Sequence, residues 1–260
     1  MRVQYNNLAN FEPEFRLEPF VALRGTPPSH YEVLTVLPNG QDAEEFFHTL
    51  QQNPGLAIAA DKLILQAAFA MMQRTNPGLR ASYNVNPSTI FSGSLHNLLQ
   101  KGIDEGSINP MWLSRQKVEV LEHQLPLGYD AGYLRTLETE FGLSYALDDI
   151  MRNRGGLERI AALGDGAAMF KFHHSVLQDI RQGDEHAALW LYELRSLYPS
   201  KTLVVEGFRP QQDAALVSLL KVVGVDAAQV YTPRHEMDEF ARESSRMALE
   251  SGWGALELCS

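Results

Sequence analysis

Residues 202–231 read TLVVEGFRPQQDAALVSLLKVVGVDAAQVY, and this stretch decides the fold. The apolar run Thr202–Glu206 predicts a strand, Gln211–Val222 has the period of a helix, and Ala227–Tyr231 predicts a second strand. Pro210 suits the first turn of that helix because its missing N–H has no partner there. A strand, a helix and a second strand in this order are the unit of a parallel sheet covered by helices.

The same alternation extends over the rest of the chain. Six further runs predict strands: Leu17–Leu23, Tyr31–Leu37, Ala81–Val85, Val118–Glu122, Ser144–Asp148 and Met169–His173. Two more helices are expected, Lys62–Gln73 with Asp61 as its N-cap and Glu236–Leu249 with a broken apolar stripe. Eight strands with intervening helices predict an α/β fold of the TIM-like (β/α)₈ barrel type, although a doubly wound open sheet has the same local pattern.

Composition limits the domain organisation. The chain has 260 residues with 45% apolar side chains, enough for one large domain or two small ones. No Pro-rich or Ser/Gly-rich linker interrupts the sequence. We therefore predict a single domain over residues 1–260, with an N-terminal extension at 1–14 and a C-terminal helix and tail at 241–260.

Charge and hydropathy exclude several classes of protein. The formal net charge is −10, which repels DNA and disfavours extended nucleic-acid binding. The longest apolar run, Leu63–Met72, is shorter than the roughly 20 residues that a bilayer helix needs, so no membrane span is predicted. The single cysteine, Cys259, cannot form an intrachain disulfide, and a cytoplasmic location is expected.

Acids and amides recur where the predicted strands end. They are Glu32, Asn84, Glu119, Asp148, Asp149, Glu206 and Gln229. In a barrel the carboxyl ends of the strands form one rim, so these side chains would converge. Two unit charges about 4 Å apart repel by roughly 4 kcal/mol at an effective dielectric constant of about 20, so either several carboxylates are protonated or cations are bound. Oxygen ligands suit Mg²⁺ or Mn²⁺, and Lys171 adds one ammonium group that could orient a water molecule.

Seven short segments occur in an order and at a spacing that one known family shares. They are Tyr31-Glu32-Val33-Leu34, Asn84-Val85-Asn86-Pro87, Val118-Glu119-Val120-Leu121-Glu122, Ala146-Leu147-Asp148-Asp149, Phe170-Lys171-Phe172, Val205-Glu206-Gly207 and Gln229-Val230-Tyr231. Together they resemble the EAL domain of cyclic di-GMP phosphodiesterases. The resemblance implies a TIM-like barrel with two Mg²⁺ or Mn²⁺ ions at its mouth, which cleaves cyclic di-GMP to linear pGpG by metal-activated water.

The resemblance also implies roles for individual residues. Five of them would be metal ligands: Glu32, Asn84, Glu119, Asp148 and Asp149. Lys171 and Glu206 would position or activate water, Glu122 would brace the following loop, and Gln229 would lie against the metal and its water. The expected partners are cyclic di-GMP, a possible second copy of the chain and a possible protein partner.

The chain departs from the family pattern mainly in substrate and loop positions. The family's phosphate-contacting Arg is Val36 here, an early Gln is Glu18, the Asp after the Lys is His173, and the second acid of the EGVE segment is Arg209. The loop that follows Asp148 is rewritten, with displaced glycines and two added arginines. A second hypothesis is therefore a catalytically degenerate EAL domain that acts as a cyclic di-GMP receptor or a protein-binding regulator. A TIM-barrel enzyme of other metal-dependent chemistry is a third.

Simpler interpretations exist for the same residues. Asp148 and Asp149 could be a helix N-cap pair, and Lys171 could extend its ammonium group from a strand end into solvent. Glu206 could mark a plain strand–turn junction. The arginines Arg152, Arg154 and Arg209 could be solvated surface charges, or they could give the barrel mouth new contacts to a phosphate or a partner.

Overall fold

The structure is a computed structural model that describes residues 13–25, 30–36, 50, 53–121 and 132–230. These residues lie in the first of two units into which the chain divides, residues 1–230; the second unit is residues 231–260. The predicted helix Glu236–Leu249, Glu122, most of the predicted N-terminal extension and the predicted tail lie outside the described residues.

Eight strands close into a barrel in chain order. They are β1 (Glu14–Ala22), β2 (His30–Val36), β3 (Arg80–Val85), β4 (Lys117–Val120), β5 (Ser144–Ile150), β6 (Met169–Phe172), β7 (Thr202–Phe208) and β8 (Ala227–Val230). The prediction of eight strands in a TIM-like barrel is confirmed, and the open doubly wound sheet is excluded.

The first strand departs from the expected parallel sheet. β1 runs antiparallel to both β2 and β8, whereas each later neighbouring pair from β2 to β8 is parallel. The reason is the short connection at residues 23–29. A parallel crossover needs about a dozen residues or more, so this segment can only return the chain in the opposite direction.

Ten helices are present in the described part of the chain. They are α1 (Pro54–Thr75), α2 (Pro87–Phe91), α3 (Ser94–Asp104), α4 (Pro110–Leu113), α5 (Gly132–Phe141), α6 (Arg154–Leu163), α7 (His174–Arg181), α8 (Glu185–Leu197), α9 (Pro210–Asp213) and α10 (Val217–Val222). The single helix predicted over Gln211–Val222 is instead split between α9 and α10 by a 3₁₀ turn at Ala214–Leu216.

The N-cap predicted for the first long helix is wrong. α1 begins two turns earlier, where the side chain of Asn53 accepts a hydrogen bond from the backbone N–H of Leu56 at 3.3 Å. Asp61 lies inside the helix and is buried. Its Oδ2 accepts hydrogen bonds from the backbone N–H of Asn86 at 2.9 Å and from the hydroxyl of Thr89 at 2.5 Å. Asp61 therefore fastens the start of the neighbouring helix α2 rather than its own.

By length and hydropathy alone, helix α1 could also cross a membrane. In this barrel, however, one face of the helix is buried in the hydrophobic layer between helices and strands, where Leu65, Phe69 and Met72 pack. A long apolar helix is also expected in a globular protein when one of its faces packs against the hydrophobic core.

Two apolar layers support the functional end of the barrel. The larger layer fills the space between strands and helices. The smaller one lies on the inner face of the strands and consists of Phe20, Ala146, Met169, Val204 and Ala227. Since side chains alternate along a strand, the residues two positions further along β5 to β8 also face inward, and these are polar.

Candidate metal centre

Strand register gathers the acids and amides at the mouth, the end of the barrel where strands β2 to β8 finish. Four carboxylates surround one ammonium group there, and we call these five residues the acid cluster: Glu32, Glu119, Asp148, Lys171 and Glu206. Neighbouring strands hold Asn84 beside Glu119 in the β3–β4 pairing. Residues separated by up to 174 positions in sequence, from Glu32 to Glu206, thus meet at one point.

Lys171 is the centre of the acid cluster. Its Nζ lies 2.6 Å from Oε2 of Glu119 and 2.7 Å from Oδ1 of Asp148. It also lies 2.9 Å from Oε1 of Glu206 and 3.1 Å from Oε2 of Glu32. The side chain is 1% exposed, so the alternative in which Lys171 extends into solvent is wrong.

In the acid cluster, burial and neighbouring charges have opposite effects on the pKa of Lys171. Burial is the largest influence on Lys171 and opposes its charge, yet Asp148, Glu119, Glu206 and Glu32 together raise its pKa well above the usual value. Burial raises the pKa of Glu119 and of Glu206 well above the ordinary range, and neighbouring carboxylates add to the effect. One ammonium group does not neutralise four carboxylates, three of them buried, so the cluster retains an affinity for protons or for a further cation.

The residues present fit a divalent cation. Glu32, Glu119 and Asp148 each offer a carboxylate oxygen, and these three oxygens lie within 4.8 Å of one another. Three buried oxygens at the mouth lack a hydrogen-bond partner: Asn84 Oδ1, Glu119 Oε1 and Gln229 Oε1. Buried acceptors normally have partners, so an unpaired set of oxygens suits Mg²⁺ or Mn²⁺.

Two amides orient Glu32. Nδ2 of Asn84 donates to Oε1 of Glu32 at 2.6 Å, and Nε2 of Gln229 donates to Oε2 at 2.6 Å. Both oxygens of the carboxylate are therefore fixed, and the carbonyl oxygen of each amide is left as a free acceptor. The amides thus hold one carboxylate and present further oxygen ligands.

Asp149 lies beside the cluster because the backbone is distorted. Its φ is +51°, and the β5–β6 register shifts between Leu147 and Ile150. In a regular strand Asp148 and Asp149 would point to opposite faces, and a bulge re-aims the extra residue. The charge of Asp149 lies close enough to Glu206 to raise the pKa of that carboxyl. The N-cap interpretation of the pair is wrong, because the N-cap of α6 is Asn153.

The irregular part of β7 after Glu206, where the pairing with β8 shifts register, also requires a special backbone. Gly207 has φ +70°, and a Cβ at this position would lie 2.9 Å from the Cβ of His174. Glycine therefore brings the end of β7 close to the start of α7. Glu206 itself is 16% exposed and contacts Lys171, so it is a member of the cluster and not a plain strand–turn junction.

The rewritten loop after Asp149 is held by contacts within the chain. Arg152 forms ion pairs with Asp184 and, at 3.3 Å, with Asp179. Gly156 has no room for a side chain, because a Cβ there would lie 2.1 Å from the carbonyl oxygen of Met151. The displaced glycine thus lets helix α6 fold back over the loop.

The other added arginines lie at the surface. Arg154 pairs with Glu158 at 2.7 Å on the exposed face of α6. Arg209 is exposed, its backbone N–H donates to Oδ2 of Asp213 at 2.6 Å, and its side chain donates to Gln212 at 3.4 Å. At the family's Asp position, His173 caps helix α7 through its ring nitrogen.

Two residues support the site through contacts that the sequence did not predict. Glu18 lies opposite Glu32 in the β1–β2 pairing, and its Oε2 accepts from Nε2 of Gln229 at 2.9 Å. Arg159 of α6 donates to two backbone carbonyls at the strand ends. The alternation of side chains along β1 could have predicted that Glu18 faces the inside of the barrel. No local sequence pattern indicates that Arg159 contacts backbone carbonyls of two strands.

Comparisons with known proteins agree with this architecture. The family model described as EAL domain matches residues 3–229. No curated protein matches the chain. The solved structures that it resembles share 18% sequence identity or less in the cases described below, so these likenesses concern the fold.

Three solved structures illustrate the likeness. BlrP1 of Klebsiella pneumoniae, a calcium and cyclic di-GMP complex, has a TM-score of 0.64 at 18% identity, with 84% of this chain and 54% of that chain covered. The FimX EAL domain of Pseudomonas aeruginosa bound to c-di-GMP has a TM-score of 0.68 at 18% identity, with 86% and 89% covered. A standalone EAL protein of Vibrio cholerae O395 in its c-di-GMP-bound form has a TM-score of 0.66 at 16% identity, with 85% and 91% covered.

Proposed function

Because the chain belongs to the EAL domain family, we propose that its barrel binds cyclic di-GMP together with Mg²⁺ or Mn²⁺ and hydrolyses one phosphodiester bond to give linear pGpG. The solved structures with the same fold support the ligand, since all three described above are complexes with c-di-GMP. The observation that carries the proposal is the triad of Glu32, Glu119 and Asp148, with carboxylate oxygens within 4.8 Å of one another.

The mouth provides the ligands that such a reaction needs. Five residues would hold the cations: Glu32, Asn84, Glu119, Asp148 and Asp149. Divalent cations would polarise the phosphoryl group and lower the pKa of an attacking water. Gln229 would keep Glu32 in place, because its amide donates to Oε2 of that carboxylate.

Lys171 and Glu206 would act on the water. The ammonium group of Lys171 donates to carboxylates of the site and supplies positive charge where the phosphate charge develops. Burial raises the pKa of Glu206, so this carboxyl has a stronger tendency to accept and hold a proton than an exposed glutamate. The role proposed for Glu122, bracing the following loop, concerns a residue outside the described part of the chain.

A second candidate is a degenerate EAL domain that binds cyclic di-GMP without cleaving it or binds a protein partner. Val36 and Glu18 favour this candidate, because a valine cannot donate to a phosphate and an added carboxylate repels one. Arg209, exposed after β7, would contact a phosphate or a partner in this case. A homodimer and a cytoplasmic location remain predictions from the sequence.

The deciding experiment follows conversion of cyclic di-GMP to linear dinucleotide by the purified chain with Mn²⁺. We expect turnover that is lost in Glu32→Ala and in Glu119→Gln. The matched control is Glu193→Gln, which changes an exposed acid on α8 and should retain the wild-type rate. Thermal unfolding of each variant shows that the loss of turnover is not a loss of folded protein.

The other outcomes separate the alternatives. Tight binding of cyclic di-GMP without product would support the receptor, and no binding at all would leave only the protein-binding regulator. Cleavage of another phosphoester while cyclic di-GMP is ignored would identify a barrel enzyme with different metal-dependent chemistry.

A further inference from the structure

Arg159 connects the ends of two neighbouring barrel strands. Its Nη1 donates to the carbonyl oxygen of Asp148 at 2.6 Å, and its Nη2 donates to the carbonyl oxygen of Val120 at 2.7 Å. Val120 directly follows Glu119 and is the last residue of β4. Both carbonyls therefore belong to backbone that carries a carboxylate of the acid cluster.

These carbonyls lie where the regular sheet pairing stops. Val120 ends its strand, and the β5–β6 pairing is interrupted between Leu147 and Ile150, around Asp148. Val120 and Asp148 are buried, so their carbonyls need partners other than bulk water. The guanidinium group provides two donors in one rigid plane, which a lysine does not.

The position of Arg159 depends on the rewritten loop. Asn153 caps helix α6 by accepting from the backbone N–H of Gly156 at 2.9 Å, and Gly156 packs against the carbonyl of Met151. These contacts set the start of the helix whose second turn carries Arg159 across the strand ends. The side chain is 9% exposed, so it lies inside the fold and not in solvent.

We propose that Arg159 is a positioning residue, which fixes the strand ends that carry Glu119, Asp148 and Asp149 in the geometry that binds a divalent cation. The inference rests on the proposed function, because it assumes that these carboxylates are cation ligands. Arg159 acts through the backbone and touches no reacting atom.

Mn²⁺ binding to the full chain without nucleotide tests whether loss of Arg159 weakens or strengthens cation binding. A purely electrostatic role predicts tighter binding after removal of the arginine charge, whereas a positioning role predicts weaker binding. We expect Arg159→Met to weaken Mn²⁺ binding about tenfold or more, as is usual when a residue that supports a metal ligand is lost, and Arg159→Lys to weaken it less. Isothermal titration measures both variants.

The matched control is Leu163→Ala. Leu163 is 3% exposed and packs on the barrel from the same helix, so its truncation loosens α6 without removing a donor to the strand ends. Its Mn²⁺ affinity should stay within about twofold of wild type at temperatures where all variants are folded. Equal or tighter binding by Arg159→Met, or an equal loss in Leu163→Ala, would overturn the proposal.

Amide hydrogen exchange gives a readout that needs no metal. We expect the amides of Leu121, Asp149 and Ile150 to exchange faster in Arg159→Met than in Leu163→Ala. Unchanged exchange would show that Arg159 does not hold these strand ends and would reject the inference. If wild-type protein binds no Mn²⁺, the proposed function fails, and the exchange rates still decide whether Arg159 positions the backbone. If Arg159→Met does not fold, Arg159→Lys provides both measurements.

Discussion

Nζ of Lys171 lies 2.6 Å from Oε2 of Glu119, and both side chains are fully buried. Each charge therefore depends on the other, because neither can be hydrated by bulk solvent. The lysine occupies a place among carboxylate oxygens that a divalent cation would also favour. A divalent cation bound there would therefore compete with the ammonium group of Lys171 for these oxygens.

Lys171→Met should destabilise the metal-free protein. Breaking a buried ion pair leaves uncompensated charge and costs about 3–5 kcal/mol. Added Mn²⁺ should then raise the melting temperature of the variant by more than that of wild type, because the carboxylates lack the ammonium partner that Lys171 provides. Thermal unfolding with and without Mn²⁺ measures both effects, and Lys221→Met, an exposed change on α10, is the control. Equal Mn²⁺ shifts in variant and wild type would contradict this account.

Val36→Arg should strengthen binding of cyclic di-GMP. Val36 is the half-buried last residue of β2, at the position where the resembled family has a phosphate-contacting arginine. A charge-assisted hydrogen bond contributes about 1.5–3 kcal/mol, equal to a roughly tenfold to hundredfold change in Kd. Titration calorimetry provides the measurement. Val36→Gln, which has a long polar side chain without charge, should give a much smaller gain, and an equal gain would reject the charge explanation.

Glu18→Gln should also tighten nucleotide binding, for a different reason. The carboxylate of Glu18 accepts from Gln229 at 2.9 Å, and the amide oxygen of a glutamine can accept the same bond. The negative charge is lost together with its ion pair to Arg16, 3.1 Å away. Weaker repulsion of a phosphate is worth about 1 kcal/mol, or roughly fivefold in Kd. The gain should shrink at high ionic strength because salt screens charge. A gain that is independent of salt would disprove the electrostatic cause.

Asp61→Asn should flatten the dependence of stability on pH. Burial raises the pKa of Asp61 to about 6 from 3.8, although two hydrogen bonds oppose the shift. Between these values the folded protein binds the proton more tightly than the unfolded chain, so stability falls as pH rises from about 4 to about 6. The loss amounts to about 3 kcal/mol at most, and the asparagine variant should avoid it.

Urea unfolding of wild type and Asp61→Asn at pH 4.5 and pH 7 provides the check. The difference between the two proteins should favour the variant more strongly at pH 7. Asp165→Asn, which alters an exposed aspartate, should follow wild type at both pH values. Parallel curves for wild type and Asp61→Asn would show that Asp61 does not titrate in this range.

Most of the barrel could be predicted from the sequence because its strands are short apolar runs with sharp ends. The period of residues 202–231 alone indicates a strand, a helix and a strand, and the structure has both strands, with the helical segment divided between α9 and α10. Polar residues inside apolar runs are costly to bury unless they bind a partner or a ligand. This cost is why the sequence could predict four residues of the site: Glu32, Asn84, Glu119 and Asp148. The closed sheet then brings them to one end.

Other features depend on contacts that no local pattern contains. Asp61 looks like an N-cap in sequence, yet the N-cap of α1 is Asn53. The hydrogen-bond partners of Asp61 are Asn86 and Thr89, which follow it by 25 and 28 positions in the chain. The antiparallel first strand follows from the length of a connection and not from its residues. Arg159 resembles any charged residue of an amphipathic helix until the tertiary fold places it over two strand ends.

The apolar layer of Phe20, Ala146, Met169, Val204 and Ala227 has a kinetic consequence. These side chains fill the inside of the barrel beneath the acids, so in the described part of the chain the site is reached from the mouth. If the proposed function holds, a cleaved nucleotide would leave by the mouth at which the next one arrives. Product should therefore compete with incoming substrate and slow successive rounds of turnover as it accumulates.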